Sequence, residues 1–136
     1  MEPNAYQYEL AFQVRDYECD LQGIVNNAVY LNYLEHARHE FMHEKGIDFA
    51  ALHKEGKDLV VVRMEVDYKH SLTSRDRFVV RIKVSKESRL KTAFYQTIYR
   101  LPDEKVVLKA KVVGVCLQQG KPVLFSDIDK LIIPST

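Results

Sequence analysis

One long stretch, Ala28 to Lys45, is the feature that most constrains this chain. Val29, Tyr30, Tyr33, Leu34, Ala37 and Phe41 recur there at helical spacing. Asn26 or Asn27 is a good N-cap ahead of it, and Gly46 ends it as a C′ glycine does. After one short further helix, expected from Asp48 to Lys54 and stopped by Gly56, the pattern changes to period two. Val60, Val62, Met64, Val66 and Tyr68 alternate with Val61, Arg63, Glu65, Asp67 and Lys69. Phe78, Val80, Ile82 and Val84 repeat the alternation, and Leu90 to Leu101 and Val106 to Leu117 are rich in strand formers. Lys86 to Arg89 and Pro102 to Lys105 read as tight links.

The order is therefore strand (about Gln7 to Tyr17), long helix, then four strands on short connections. Short links favour antiparallel pairing. Such a sheet has one apolar face, and one amphipathic helix is available to cover it. The expected fold class is α+β, with a curved antiparallel sheet around one central helix. A last short helix is expected from Ser126 to Leu131, before Pro134. No repeat, low-complexity run or linker divides the chain, so residues 1–136 read as one domain. Exposed sheet edges are commonly covered by another subunit, so self-association is expected on physical grounds.

Composition excludes several classes. A formal net charge of +1 offers no broad basic surface for nucleic acid. Cys19 and Cys116 form no CxxC pair and no disulfide framework. The start, MEPNAYQYEL, has no signal-peptide core, and no apolar run reaches spanning length. The expected address is the cytoplasm. His36/Glu40 and His39/His43 stand at i, i+4, but there is no HExxH, and the stripe reads as a solvated helix face; no metal and no cofactor are expected. Arg38 is expected to pair with Glu35 or with a buried acid. Cys116 is expected in the core, and the Cys19 thiol is a minor candidate nucleophile.

The loop ahead of the long helix carries the most informative residues: Asp20, Gly23, Ile24, Val25 and Asn27, followed by Tyr30, Tyr33 and Arg38 on the helix. With Val66-Asp67-Tyr68, and Asp76 and Phe78 further on, this pattern resembles the hotdog-fold thioesterases of the 4-hydroxybenzoyl-CoA thioesterase type. The likeness covers roughly Tyr6 to Pro134. The stretch Val25 to Tyr30 also looks like plant acyl-acyl carrier protein thioesterases, which share the fold. Two departures stand out. Many bacterial members carry His or Tyr where this chain has Asn27, and acyl carrier protein thioesterases carry His where it has Ile24. No imidazole therefore stands beside Asp20. His70-Ser71 also replaces the usual Pro after the Asp-Tyr block.

The resemblance implies an acyl-CoA thioesterase, with Asp20 as nucleophile or general base. Thioester hydrolysis also needs a donor for the oxyanion. The first N–H groups of a helix lack partners, so the amide of Asn27 is the candidate. Its side chain is expected to position water or the thioester carbonyl. Gly23 fits a tight turn or a close approach to substrate. Ile24, Val25 and Tyr30 are expected to line the acyl pocket, and Tyr33 to pack in the core. Arg89 and Lys91, at a hairpin turn, are candidates for the CoA phosphates. A homodimer or homotetramer with its site at the subunit interface is implied. Two other readings stay open: hydrolysis of acyl carrier protein thioesters, and a non-catalytic acyl-CoA-binding module of the same fold.

Overall fold

The structure, a computed structural model, describes residues 6–132. Its order is β1 (Tyr8–Gln13), α1 (Asn27–Glu44), α2 (Phe49–Lys54), β2 (Lys57–Tyr68), β3 (Arg77–Lys86), β4 (Lys91–Leu101), β5 (Lys105–Gln118), β6 (Lys121–Val123) and α3 (Ile128–Ile132). The strands form one antiparallel sheet in the order β1-β3-β4-β5-β2, with β6 also paired to β5. The sheet curves around α1, which is the expected α+β hotdog architecture.

Helix α1 forms where its caps and its apolar stripe agree. Asn26 is the N-cap: its Oδ1 accepts from the Ala28 N–H at 2.9 Å. Gly46 takes φ +82° just past the helix end. Tyr30, Tyr33, Leu34, Ala37, Phe41 and Met42 are buried along one face. They meet the inner residues of the sheet, among them Phe78, Val80, Ile82, Ile98 and Leu108, all fully buried. Aromatic contacts tie the helix to the sheet: Phe12 stacks on Phe78 across the β1–β3 pair with centroids 5.0 Å apart, and Tyr33 of α1 packs against Phe78 at 4.7 Å. Each such side chain contributes roughly 1.5–3 kcal/mol on burial.

Three expectations are corrected. The first strand stops at Gln13 rather than Tyr17, because its partner β3 begins at Arg77, opposite Gln13. Asp16–Glu18 instead forms a 3-10 turn. The period of two in β2 is interrupted by a bulge between Val61 and Arg63. Leu59 and Val61, opposite Cys116 and Gly114, therefore share the inner side with Met64, Val66 and Tyr68. A further strand, β6, was not expected: it turns back through Gln119 and Gly120, both at positive φ, and carries Pro122 near the sheet margin. The last helix begins at Ile128, and Pro134 lies outside the described residues.

Candidate active site

The segment from Cys19 to Val25 is a tight hairpin set directly before α1. Cys19 and Val25 pair across it, the Asp20 N–H donates to the Ile24 carbonyl at 2.9 Å, and Gly23 donates to Asp20 at 3.0 Å. Gly23 adopts φ +81°, and a Cβ there would meet nothing within 4 Å. The glycine is thus required by backbone conformation and not by close contact within the protomer.

The second loop, residues 69–76, clamps this hairpin. Val25 N–H donates to Leu72 C=O at 2.9 Å, Leu72 N–H donates to the Tyr30 hydroxyl at 2.9 Å, and Ile24 bridges to Thr73. Asp76 braces the loop by accepting from the Thr73 N–H at 2.9 Å, and Ser74 bonds Asp16. Underneath, the Tyr33 hydroxyl donates to the buried Glu18 carboxylate at 2.8 Å, which also accepts from Arg15 N–H at 2.8 Å. Burial, followed by the bond to Glu18, holds the Tyr33 phenol well above its usual range.

Asp20 is exposed at the hairpin tip. One carboxylate oxygen accepts from Gln22 N–H at 2.8 Å; the other has no partner among the described residues. Leu21 is fully exposed and Tyr17 is 79% exposed on either side of it. Asn27 is the first helical residue; among the described residues its N–H finds no acceptor, while its carbonyl accepts from the Tyr68 hydroxyl at 3.4 Å. A free carboxylate oxygen thus stands on the loop that leads directly into an unpaired first-turn amide.

Several candidates have other roles. Val25 is 1% exposed and Tyr30 is 2% exposed, so both belong to the core rather than to an open pocket wall. Tyr30 is packed against Tyr33 and Tyr68, and its hydroxyl is used by Leu72. Ile24 remains half-buried. Arg89 and Lys91 are exposed at the far end of the β3–β4 hairpin, whereas the Asp20 loop lies by its near end at Arg77. About 30 Å of strand separates the two ends, so one protomer does not bring them together. The Cys19 thiol is pushed up by burial and by the carboxylates of Asp16, Asp20, Glu18 and Asp76, which disfavours a thiolate nucleophile. Cys116 is buried, as expected. Among the described residues no group of three or more His, Cys, Asp or Glu comes together as a metal site. No helix there is long and apolar enough to cross a membrane.

Sequence reasoning did not find the cavity. A pocket of about 320 Å³ lies between the second half of α1 and the sheet, walled by Met42, Phe49, Leu59, Val112, Val115 and Phe125. Arg38, His39 and Glu35 are its polar members. Arg38 is 6% exposed and pairs with neither Glu35 nor a buried acid; its Nη1 donates to Gln96 Oε1 at 2.9 Å. Gln96, fully buried, donates in turn to Leu34 C=O at 3.0 Å. The signal was present: Arg38 is four residues from both Leu34 and Met42, inside the apolar stripe.

Comparison with known proteins identifies the family and the fold. Residues 14–129 match the family described as the thioesterase-like superfamily. A chloroplastic acyl-acyl carrier protein thioesterase of Arabidopsis thaliana is 40% identical over 81% of this chain, which spans only 58% of that enzyme's length. The crystal structure of a hypothetical protein from Aquifex aeolicus superposes with TM-score 0.84 at 27% identity, over 93% of this chain and 99% of the other. A Thermus thermophilus thioesterase complexed with coenzyme A and Zn superposes with TM-score 0.78 at 25% identity, over 94% of each chain. The chain belongs to the thioesterase-like superfamily of hotdog-fold proteins.

Proposed function

We propose that this chain hydrolyses acyl thioesters at Asp20, with the Asn27 amide as oxyanion donor. The observation that carries this reading is the clamped hairpin, which ends in an unpaired helix amide and bears a carboxylate with one free oxygen. In the general-base route, Asp20 takes a proton from water and the water oxygen bonds to the thioester carbon. The resulting oxyanion is held by the amide N–H, then collapses; the C–S bond breaks and the thiolate recovers the proton from Asp20. In the nucleophilic route, the Asp20 carboxylate attacks the thioester carbon, the C–S bond breaks and the thiolate leaves. Water then attacks the Asp20 carbonyl of the mixed anhydride, which frees the product acid and restores the carboxylate. A single turnover in ¹⁸O-water separates them: label enters the product acid in the first route and Asp20 in the second.

A second copy of the chain favours a complete site. Among the described residues strand β2 ends the sheet with one edge unpaired, and Val61 and Val62 on it are 47% and 51% exposed. Two-fold pairing of this edge with itself is antiparallel. That arrangement sets the Tyr68 end of one protomer, beside Asn27, against the Lys57 end of the other. The Leu59–Val61 cavity wall and Lys91 lie toward that second end. An acyl group would then enter the cavity of one protomer while its carbonyl meets Asp20 of the other. Arg89 and Lys91 would receive CoA phosphates by the same exchange.

CoA is the carrier in the first reading, supported by the CoA-bound relative. The plant relative, at higher identity, favours acyl carrier protein thioesters as the second. Thiol release from matched acyl-CoA and acyl carrier protein substrates, for wild type and Asp20→Asn, tests both. Turnover on either carrier that is lost in the variant is the expected result. No turnover on either would leave an acyl-binding module.

A further inference from the structure

We propose that the Arg38 cavity is a subsite for acyl groups that end in a carboxylate. This deepens the thioesterase reading and rests on it. The cavity walls are largely apolar, as an acyl pocket requires, yet the buried Arg38 is one of the residues that line them. Only one of its donors has an acceptor among the described residues, the neutral oxygen of Gln96. Its charge has no ion-pair partner there. Glu35 and His39 share the cavity lining, Glu35 exposed and His39 partly desolvated, and among the described residues neither forms an ion pair with Arg38.

A buried cation without a counter-ion is costly, and burial pulls the Arg38 pKa down. An alkyl tail alone would strip the remaining water from its free donors and return nothing. A terminal carboxylate would accept two parallel N–H bonds from the guanidinium fork and neutralise its charge. The apolar walls would take the methylenes between that carboxylate and the thioester. Glu35 is near enough to favour the Arg38 charge, and its exposure leaves its own charge screened by solvent. His39 is held toward its neutral form by burial, so Arg38 is the cation that defines the subsite. Gln96, bonded to the backbone of α1 as well as to Arg38, fixes the guanidinium plane.

The test uses CoA monothioesters of straight dicarboxylic acids of roughly four to ten carbons, a range suited to a small pocket. Methyl-ended and hydroxyl-ended chains of equal length serve as competitors. At one length or more, wild type is expected to favour the carboxyl-ended ester in kcat/KM by about tenfold or more. Arg38→Met is expected to reverse that order, and Arg38→Lys to keep part of it. Calorimetry with free adipate and suberate adds a readout independent of turnover: binding by wild type, weakened about tenfold or more in Arg38→Lys, which retains the charge without the fork. Equal turnover of the three series by wild type would overturn the proposal, as would a preference for the hydroxyl-ended chains or dicarboxylate binding unaffected by either variant. If no thioester is cleaved but dicarboxylate binding depends on Arg38, the subsite stands and the thioesterase reading falls. If methyl-ended esters are cleaved and dicarboxylates do not bind, the subsite alone falls.

Discussion

The two halves of α1 differ in kind. Around its N-terminus the protein is polar and exposed: Asp20 stands at a hairpin tip and, among the described residues, the Asn27 amide has no acceptor. Along its second half lies a largely apolar cavity lined by the buried Arg38 and the exposed Glu35. Within one protomer the proposed nucleophile, Asp20, thus stands apart from this cavity. The contrast explains why the open β2 edge matters. Antiparallel pairing through it would bring the N-terminal half of one helix to the second half of the other. Chemistry and recognition would then be divided between subunits.

The largest expected effect tests the first half. Asp20→Asn should lower kcat by about a hundredfold or more, on the scale of losing one transition-state group. Because Asp20 is exposed, its unfolding free energy should move by no more than about 0.5 kcal/mol. Steady-state kinetics and urea denaturation check both statements. The union of the halves is tested next. Val62→Lys puts a charge on the open β2 edge, outside the cavity wall, and should shift sedimentation toward monomer, with activity falling in proportion. Mixed dimers sharpen this result. Asp20→Asn combined with Val62→Lys should regain little, whereas Asp20→Asn with Arg38→Met should regain carboxyl-ended turnover through the one site that keeps both groups.

Smaller effects concern the scaffold that holds the first half. Tyr30→Phe removes the acceptor for Leu72 N–H and should cost about 1–3 kcal/mol, read by chemical denaturation. Asn26→Ala removes the cap of α1 and should cost about 1 kcal/mol. The smallest concerns the second half. Burial lowers the His39 pKa from its ordinary 6.5, with Glu35 opposing and Arg38 assisting. The unfolded chain therefore binds the proton more readily than the folded one. This contribution to stability is present above about pH 6.5 and is lost as the pH falls through the lower folded value. Denaturation between pH 7 and pH 5 should show the decline, and His39→Gln should flatten it.

Much of this was legible because local rules and global fold agree. The stripe from Tyr30 to Phe41, with Asn26 and Gly46 at its ends, specified α1 almost to the residue. The turns at Lys86–Arg89 and Pro102–Lys105 fixed the hairpins. Gly23 with Asp20 marked the tight hairpin ahead of α1. The failures arise where neighbours in space overrule neighbours in sequence. Val62 sits in a bulge, so a clean alternation in β2 changes face midway. Tyr30 and Val25 look like pocket residues beside a reactive loop, yet loop 69–76 folds over them and takes their polar groups.

The elements, their order and the α+β class were legible in the chain alone, because period, caps and turn chemistry act over a few residues; the hotdog family came from the resemblance of the motif around Asp20. Which side chains are spent on the core, where the cavity lies and how Arg38 comes to be buried in its wall emerged with the folded molecule. Those outcomes depend on which strands meet α1 and at what register. They are set by contacts between residues such as Arg38 and Gln96, far apart in the chain, and no local pattern records them.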